Sequence, residues 1–253
     1  MTSKTALITG ATAGFGKATA ERFAKEGFNL IITGRRKERL EELAQTLKNK
    51  YNTESVCLGF DVRDRDQVRA NLETLSAEWR KIDVLVNNAG LALGLNALQD
   101  GDYRDWDQMI DTNVKGLLYV SEMVMPWMIA NKKGHIINVG SIAGTEVYPG
   151  GNIYCASKHA VNAISKAMRI DLLKHGIKVT QVRPGLAETE FSMVRFKGDA
   201  EKADNVYKGY EPMHADDIAE VIFYVSSTPT HLNINDIELT PNAQANSYTV
   251  FKQ

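Results

Sequence analysis

The chain has little cysteine, almost no net charge and no long apolar run, and each shortage argues against a class of protein. Its two cysteines, Cys57 and Cys155, are too few for a disulfide framework and lack the spacing of a metal site, so we expect no bound metal. Lys and Arg number 30 against 31 Asp and Glu, which gives no electrostatic reason to expect binding to nucleic acid or a membrane. The most apolar stretch, MVMPWMIA, is too short to cross a bilayer and contains Pro126.

The organisation of the 253 residues indicates one domain, 1–253. No repeat, low-complexity tract or linker divides the chain. The first ten residues, MTSKTALITG, lead into an apolar run without the pattern of a signal peptide, and we therefore expect a cytoplasmic protein. A hydrophobic content of 43% suits a large core that needs neither metal nor disulfide.

Short apolar runs alternate with amphipathic stretches along the chain. The runs predict buried strands at 5–9, 29–33, 55–60, 83–88, 135–140 and 178–182. The stretches between them have apolar residues three and four positions apart, which predicts helices, with longer ones around 105–131 and 152–175. This alternation predicts an α/β fold, a Rossmann-type doubly wound parallel sheet with helices on both faces.

Two segments do not follow the alternation. Residues 185–212 follow the sixth predicted strand, are mostly polar and predict an irregular loop. Because ligands of open α/β sheets bind outside the carboxyl ends of the strands, this segment is a candidate substrate loop that closes over a ligand. The tail, 240–253, contains Gln244, Tyr248 and Phe251 and has no helical period.

The turn TGATAGFG, between the first strand and the first helix, predicts a dinucleotide site. Gly10, Gly14 and Gly16 permit a tight turn that brings backbone N–H groups and a helix N-terminus to a pyrophosphate. We assign Thr12 and Phe15 of the same turn to the cofactor site.

The end of the second strand bears on which dinucleotide binds. An NAD site places Asp or Glu there, whereas this chain has Gly34 followed by Arg35 and Arg36. Two guanidinium groups suit a 2′-phosphate, and arginine is unfavourable at a helix N-terminus without such a role. We therefore predict NADP(H), and we interpret Lys37 and Arg39 as a solvated helix start. Other residues at strand ends are assigned to the same cofactor: Asp61, Val62, Asn88, Ala89, Gly90, Pro184, Gly185 and Thr189.

The segment NIYCASKHA places Tyr154 and Lys158 four residues apart, on one face of a predicted helix. A tyrosine packed on a lysine stem is the ordinary explanation of such a pair. An ammonium beside a phenol also favours the phenolate, and lowering the phenol pKa by about 3 would make it a base near neutrality. The pair is therefore a candidate for proton transfer.

Taken together, these motifs resemble the short-chain dehydrogenase/reductase family over nearly the whole chain. In order, the matching residues are Thr9–Gly16, Asp61, Asn87–Gly90, Asn113, Ser141, Tyr154 with Lys158, and Pro184–Thr189. The resemblance implies that Tyr154 exchanges a proton with the substrate oxygen and that Lys158 lowers the pKa of Tyr154 and holds the nicotinamide ribose. It further implies that Ser141 binds the reacting oxygen and that Asn113 maintains a water-linked path to Lys158.

Within the family, the segments around 110–128, 149–158, 191–207 and 231–244 resemble the branch of NADP-dependent serine and 3-hydroxy acid dehydrogenases, close to reductases of malonic semialdehyde and sulfoacetaldehyde. That likeness implies a small anionic aldehyde or hydroxy acid as substrate. Arg195 is the candidate cation for the anion, although a solvated loop charge is the plain alternative. Tyr148, Gln244 and Tyr248 are candidate hydrogen-bond donors. By family analogy we expect a homotetramer in which the tail reaches a neighbouring subunit.

Several alternatives stay open. The substrate anion is a carboxylate or a sulfonate, and the stereochemistry and direction are undetermined. A serine or allo-threonine dehydrogenase is the alternative within the branch. A non-catalytic dinucleotide sensor would be expected to lose Ser141, Tyr154 or Lys158, all of which are present. Epimerases and dehydratases that share the Tyr–Lys spacing are usually longer.

Overall fold

A parallel sheet organises the chain, and its central strands are buried. In the computed structural model, which describes residues 3–253, the strands are β1 (Thr5–Thr9), β2 (Asn29–Gly34), β3 (Ser55–Gly59), β4 (Val84–Asn87), β5 (His135–Val139), β6 (Lys178–Pro184), β7 (Ala187–Glu188), β8 (Met213–His214) and β9 (Asp236–Leu239). Over those residues the main sheet has seven strands in the order β3-β2-β1-β4-β5-β6-β9, every neighbouring pair parallel. Strands β7 and β8 pair separately.

Helices cover both faces of this sheet. They are α1 (Gly14–Lys25), α2 (Lys37–Tyr51), α3 (Arg65–Glu73), α4 (Tyr103–Ile110), α5 (Leu117–Asn131), α6 (Asn152–Leu172), α7 (Glu190–Arg195), α8 (Ala200–Tyr207) and α9 (Ala215–Ser227). Buried side chains of α1, α2 and α9 form the core on one face, and those of α3, α5 and α6 form the core on the other. The predicted α/β class and doubly wound sheet are confirmed.

Burial on both faces explains why the strands have no alternating pattern. In β1, Ala6 and Ile8 face the core under α1 and α9, while Leu7 faces the core under α5 and α6. Each strand residue therefore enters an apolar layer, and the strands are short continuous apolar runs. The six predicted strands are all present, with ends that differ from the prediction by at most two residues.

Three features differ from the sequence-based expectations. Strand β9 was not predicted, because DIEL alternates charged and apolar residues and only half buries them. The predicted helix at 105–131 is interrupted by a wide π-helical turn, Asp111–Gly116, between α4 and α5. The segment 185–212 is not an irregular loop, since it contains β7, α7 and α8.

The described part of the chain contains no helix long and apolar enough to cross a membrane. Among residues 3–253 no group of three or more His, Cys, Asp or Glu side chains could hold a metal ion.

Candidate active site

The Gly-rich turn lies where the sheet order reverses, between β1 and β4, the usual ligand position in such sheets. The hydroxyl of Thr9 accepts hydrogen bonds from the backbone N–H groups of Asn88 and Ala89, both at 3.0 Å. The side chain of Asn88 donates to the carbonyl oxygen of Thr9 at 2.8 Å. A Cβ at position 16 would collide with the carbonyl oxygen of Gly10 and with Asn88, so this position requires glycine. Asn88 and Ala89 thus hold the turn in shape.

The start of α1 is built to receive an anion. Its N-cap is Ala13, no side chain caps the helix, and the first turn has no acidic residue. The first N–H groups of the helix are therefore left for a ligand, as at other phosphate-binding helix N-termini.

A cleft of about 230 Å³ adjoins the turn. Fourteen of the residues assigned to the cofactor from the sequence line it: Gly10, Thr12, Gly14, Phe15, Arg35, Arg36, Asp61, Val62, Asn88, Ala89, Gly90, Tyr154, Lys158 and Thr189. Gly16 lies behind the turn, and Pro184 and Gly185 line a second cavity instead. The side-chain oxygen of Thr189 accepts the N–H of Phe191 at 3.2 Å and caps α7.

Arg36 and Arg39 lie at the edge of the cleft, near the end of β2. Arg36 donates from Nη2 to the hydroxyl of Thr12 at 2.9 Å, which ties it to the Gly-rich turn. Its Nη1 is 3.3 Å from Glu190, and Nη1 of Arg39 is 3.1 Å from the same carboxylate. Arg39 is therefore more than a solvated helix start, contrary to the prediction. Sequence reasoning missed the pairing, since Glu190 is 154 positions from Arg36.

Asp61 lines the cleft but its carboxylate is committed to Arg63, whose Nη2 lies 2.7 Å away. Burial acts to raise the pKa of Asp61, yet the hydrogen bonds from Arg63 outweigh it and hold the pKa below its ordinary value. Asp61 is therefore a carboxylate at neutral pH.

Tyr154 and Lys158 lie buried on the same face of α6 and reach the inner end of the cleft. The Nζ of Lys158 donates to the carbonyl oxygen of Val139 at 2.9 Å and lies 5.9 Å from the centre of the Tyr154 ring. Ser141 follows β5, and its hydroxyl donates to the carbonyl oxygen of Pro184 at 3.3 Å. The structure thus places the serine, tyrosine and lysine at one point.

The π-helical turn between α4 and α5 positions Asn113. Its side chain donates to the carbonyl oxygen of Leu91 and accepts the N–H of the same residue, both at 2.8 Å. It also donates to the hydroxyl of Ser157 at 3.0 Å. A Cβ on Gly90 would lie 3.2 Å from the side-chain oxygen of Asn113 and 3.5 Å from Nζ of Lys158, so both side chains approach this glycine closely.

A second cavity, of about 500 Å³, opens on the other side of Tyr154. Arg195, at the end of α7, donates from Nη2 to the hydroxyl of Tyr148 at 2.9 Å and from Nε to the carbonyl oxygen of Gly94 at 3.2 Å. Its guanidinium carbon is 5.4 Å from the ring centre of Tyr148 and 5.7 Å from that of Tyr154. Over residues 3–253 Arg195 forms no ion pair with a carboxylate. The structure therefore brings Arg195 and Tyr148, the two residues predicted to bind the anion, next to Tyr154.

Comparison with known proteins matches residues 4–200 to the family model of the short chain dehydrogenases. The chain belongs to the short-chain dehydrogenase family. It is 47% identical to sulfoacetaldehyde reductase 2 of Chromohalobacter salexigens over 94% of each chain. It is also 47% identical to the NADP-dependent 3-hydroxy acid dehydrogenase YdfG of Salmonella typhimurium, over 94% of this chain and 95% of the relative. The closed form of a serine dehydrogenase complexed with NADP+ superposes with a TM-score of 0.91, at 45% identity, covering 98% of this chain and all of that one.

The resemblance inferred from the sequence is thus confirmed, and the predicted NADP(H) dependence agrees with the names of these relatives. The electrostatics of this short-chain dehydrogenase differ from the expectation in one respect. Burial raises the pKa of Tyr154 above its ordinary value, and the nearby Tyr148 adds to the rise. The neighbouring Ser141 hydroxyl and the charge of Arg195 act in the opposite direction.

Among the protein groups, Lys158 does not lower the pKa of Tyr154 as predicted. Burial lowers the pKa of its own ammonium from 10.5 to about 8, since a charge is costly away from water. Among the protein groups alone the pKa of Tyr154 is raised, not lowered toward neutrality as predicted, because burial is the largest influence on it. At neutral pH Tyr154 is a phenol and Lys158 an ammonium.

The tail of the short-chain dehydrogenase packs partly on its own chain, and its expected contact with a neighbouring subunit stays a prediction. Gln244 is buried, accepts the N–H of Leu186 at 2.8 Å and donates to the carbonyl oxygen of Asn246 at 3.1 Å. It pairs with Val250 in an antiparallel bridge. Gln244 and Tyr248 both line the second cavity, but the amide of Gln244 already serves the backbone.

Proposed function

We propose that the protein is an NADP(H)-dependent oxidoreductase that interconverts a small anionic aldehyde and its hydroxy acid. The observation that carries the proposal is the unpaired guanidinium of Arg195, which lies with the hydroxyl of Tyr148 beside Tyr154 in the second cavity. The names of the relatives, a sulfoacetaldehyde reductase and a 3-hydroxy acid dehydrogenase, support the same class. A cytoplasmic location and a homotetramer are part of the proposal and rest on family analogy.

The cofactor supplies the hydride chemistry when bound, and the protein groups handle the oxygen and its proton. The hydroxyl of Ser141 holds the substrate oxygen. Tyr154, a phenol at neutral pH whose pKa burial raises further, donates its proton to that oxygen during reduction and recovers it during oxidation. Lys158 holds the nicotinamide ribose. Asn113, on the other side of Gly90, maintains the route by which the proton is replaced.

The distance between the proton donor and the cation limits the substrate. The guanidinium carbon of Arg195 lies 5.7 Å from the ring centre of Tyr154, which favours a short substrate whose anion is one or two carbons from the reacting carbonyl. A guanidinium fork fits carboxylate and sulfonate oxygens alike. Tyr148 adds a donor for a third oxygen, which favours a sulfonate or a very short carboxylate over long 3-hydroxy acids.

Serine is the second candidate, because a serine dehydrogenase is among the similar structures. Its carboxylate fits Arg195 as well as that of an aldehyde acid. Its ammonium, however, finds no Asp or Glu among the described residues that line the cavity. The residues lining the cavity therefore favour a substrate with one anionic group and no ammonium, such as an aldehyde acid, over an amino acid.

The test compares Arg195→Ala with the wild type on sulfoacetaldehyde, malonic semialdehyde and a neutral aldehyde of similar size, by NADPH oxidation. Loss of a charge-assisted hydrogen bond is expected to raise KM for both anions by about tenfold to a hundredfold. The neutral aldehyde is expected to be reduced almost as before. Lys197→Ala, which removes a neighbouring cation paired with Asp105 at 2.8 Å, is the matched control. Equal losses on all three substrates would show that Arg195 orders α7 instead of binding the anion.

A further inference from the structure

The carboxylate of Glu190 occupies the arginine corner of the cofactor cleft. Glu190 is the first residue of α7, and its two oxygens face different arginines, one from Arg36 at 3.3 Å and one from Arg39 at 3.1 Å. Arg36 also bonds Thr12 of the Gly-rich turn. The substrate-loop region is therefore attached by charge to the site assigned to the 2′-phosphate.

The predicted 2′-phosphate site, at Arg35 and Arg36, and the carboxylate of Glu190 share the guanidinium of Arg36. Both anions accept hydrogen bonds from guanidinium groups in the same fork geometry. The carboxylate carries one negative charge, whereas a phosphate monoester carries about 1.5 to 2 at neutral pH. The ion pairs of Glu190 are also half exposed, with 52% of its side chain open to solvent, and exposed pairs of this kind are weak. The phosphate is therefore expected to bind the arginines more strongly than the carboxylate does.

We propose that Glu190 determines cofactor affinity as an internal competitor of the 2′-phosphate, pairing with Arg36 and Arg39 until the phosphate displaces it. The inference rests on the proposed function in one respect, the assignment of the 2′-phosphate to the arginines after β2. NADH carries a hydroxyl in place of the phosphate and has no charge with which to displace Glu190. Binding of NADPH, but not of NADH, therefore detaches the start of α7 from the arginines.

The same short helix ends at Arg195, the residue proposed to bind the substrate anion. The first and last residues of this six-residue helix lie about 7.5 Å apart along its axis. If the phosphate releases Glu190, we expect the anion site at Arg195 to respond through α7, and by reciprocity we expect anion binding to alter the affinity for NADPH.

The experiment measures the dissociation constants of NADPH and NADH by the fluorescence of the reduced nicotinamide, in the wild type and in Glu190→Gln. The variant keeps the shape of the side chain and removes its charge. NADPH is expected to bind about threefold to tenfold more tightly, and NADH to change by less than about twofold. The gain is expected to shrink at high salt, because screening weakens exposed charges. Glu188→Gln removes the same charge two residues earlier from an exposed side chain and controls for the general field.

Arg36→Ala tests the assignment of the 2′-phosphate to this arginine separately from the competitor role of Glu190. It is expected to weaken NADPH at least about tenfold and to leave NADH nearly unchanged, and Glu190→Gln is expected to add little in that background. If Arg36→Ala discriminates between the cofactors but Glu190→Gln leaves NADPH binding unchanged or weaker, the competitor role is wrong and the proposed function stands. Equal losses of both cofactors in Arg36→Ala would remove the 2′-phosphate assignment and the competitor role with it.

Discussion

Replacement of Lys158 by methionine is expected to make the folded protein more stable while it destroys the activity. The ammonium of Lys158 is buried, and its only hydrogen-bond acceptor among the described residues is the carbonyl oxygen of Val139. Burial lowers its pKa from 10.5 to about 8, so the folded chain holds the proton less readily than the unfolded chain does. Below pH 8 the ammonium is therefore a cost to folding. Methionine fills a similar volume without the charge.

The magnitude follows from the pKa difference. Each pKa unit corresponds to about 1.4 kcal/mol, so the fall from 10.5 to about 8 corresponds to about 3 kcal/mol at neutral pH. Loss of the hydrogen bond to Val139 destabilises the variant by about 1 kcal/mol. A net gain of about 1–2 kcal/mol is expected for Lys158→Met at pH 7. The cost to the wild type is full below pH 8 and disappears between about pH 8 and 10.5, so the advantage of the variant declines over that range.

Urea denaturation followed by circular dichroism at pH 7 and at pH 9.5 measures this difference without cofactor. The electrostatic advantage at pH 9.5 is expected to be less than about half of that at pH 7. Lys166→Met removes an exposed lysine from the same helix and is expected to show neither the gain nor its pH dependence. A Lys158→Met variant that is less stable than the wild type at pH 7, or whose advantage is the same at both pH values, would refute the reasoning.

Two further predictions concern the phenol and the tail. Tyr154→Phe is expected to lower kcat at least about tenfold with NADPH affinity nearly intact, since the hydroxyl acts on the substrate oxygen; stopped-flow turnover and fluorescence titration measure the two, and a kcat close to that of the wild type contradicts the role. Gln244→Leu leaves the N–H of Leu186 and the carbonyl of Asn246 without their partner and is expected to lower the free energy of unfolding by about 1–3 kcal/mol, measured by thermal unfolding. Asn242→Leu, at an exposed position, is the control and is expected to have little effect. Equal effects of the two variants would mean that the buried amide adds no stability.

Most of the fold was predictable because both faces of the sheet are buried. Continuous apolar runs and amphipathic helices then carry strong signals, and β1 is found at the predicted residues. Strand β9 was missed since it lies at the sheet edge with half-buried residues. Helices α7 and α8 were missed because the first has six residues and the second eight, too few for a clear period.

The site was predictable where one motif contains the whole interaction, as in the Gly-rich turn and the Tyr154–Lys158 pair. Contacts between distant segments were not. The ion pair of Glu190 with Arg36 depends on how α7 folds back over the cleft, and no local pattern records it. The pKa of Tyr154 is shifted upward because neighbouring elements bury the side chain. The four-residue spacing between Tyr154 and Lys158 gives no information about that burial.

The number of residues in the wide turn at Asp111–Gly116 determines how the active site is oriented. A π-helical turn holds about one residue more than an α-helical turn, and each residue of an α-helix rotates the next by about 100°. That extra residue lets α4 face the cavity while α5 faces the sheet core. Deleting any single residue from the turn would restore a regular helix and rotate Asn113 away from Leu91. Substitutions on the exposed side of this turn are therefore tolerable, whereas a one-codon deletion anywhere within it is not.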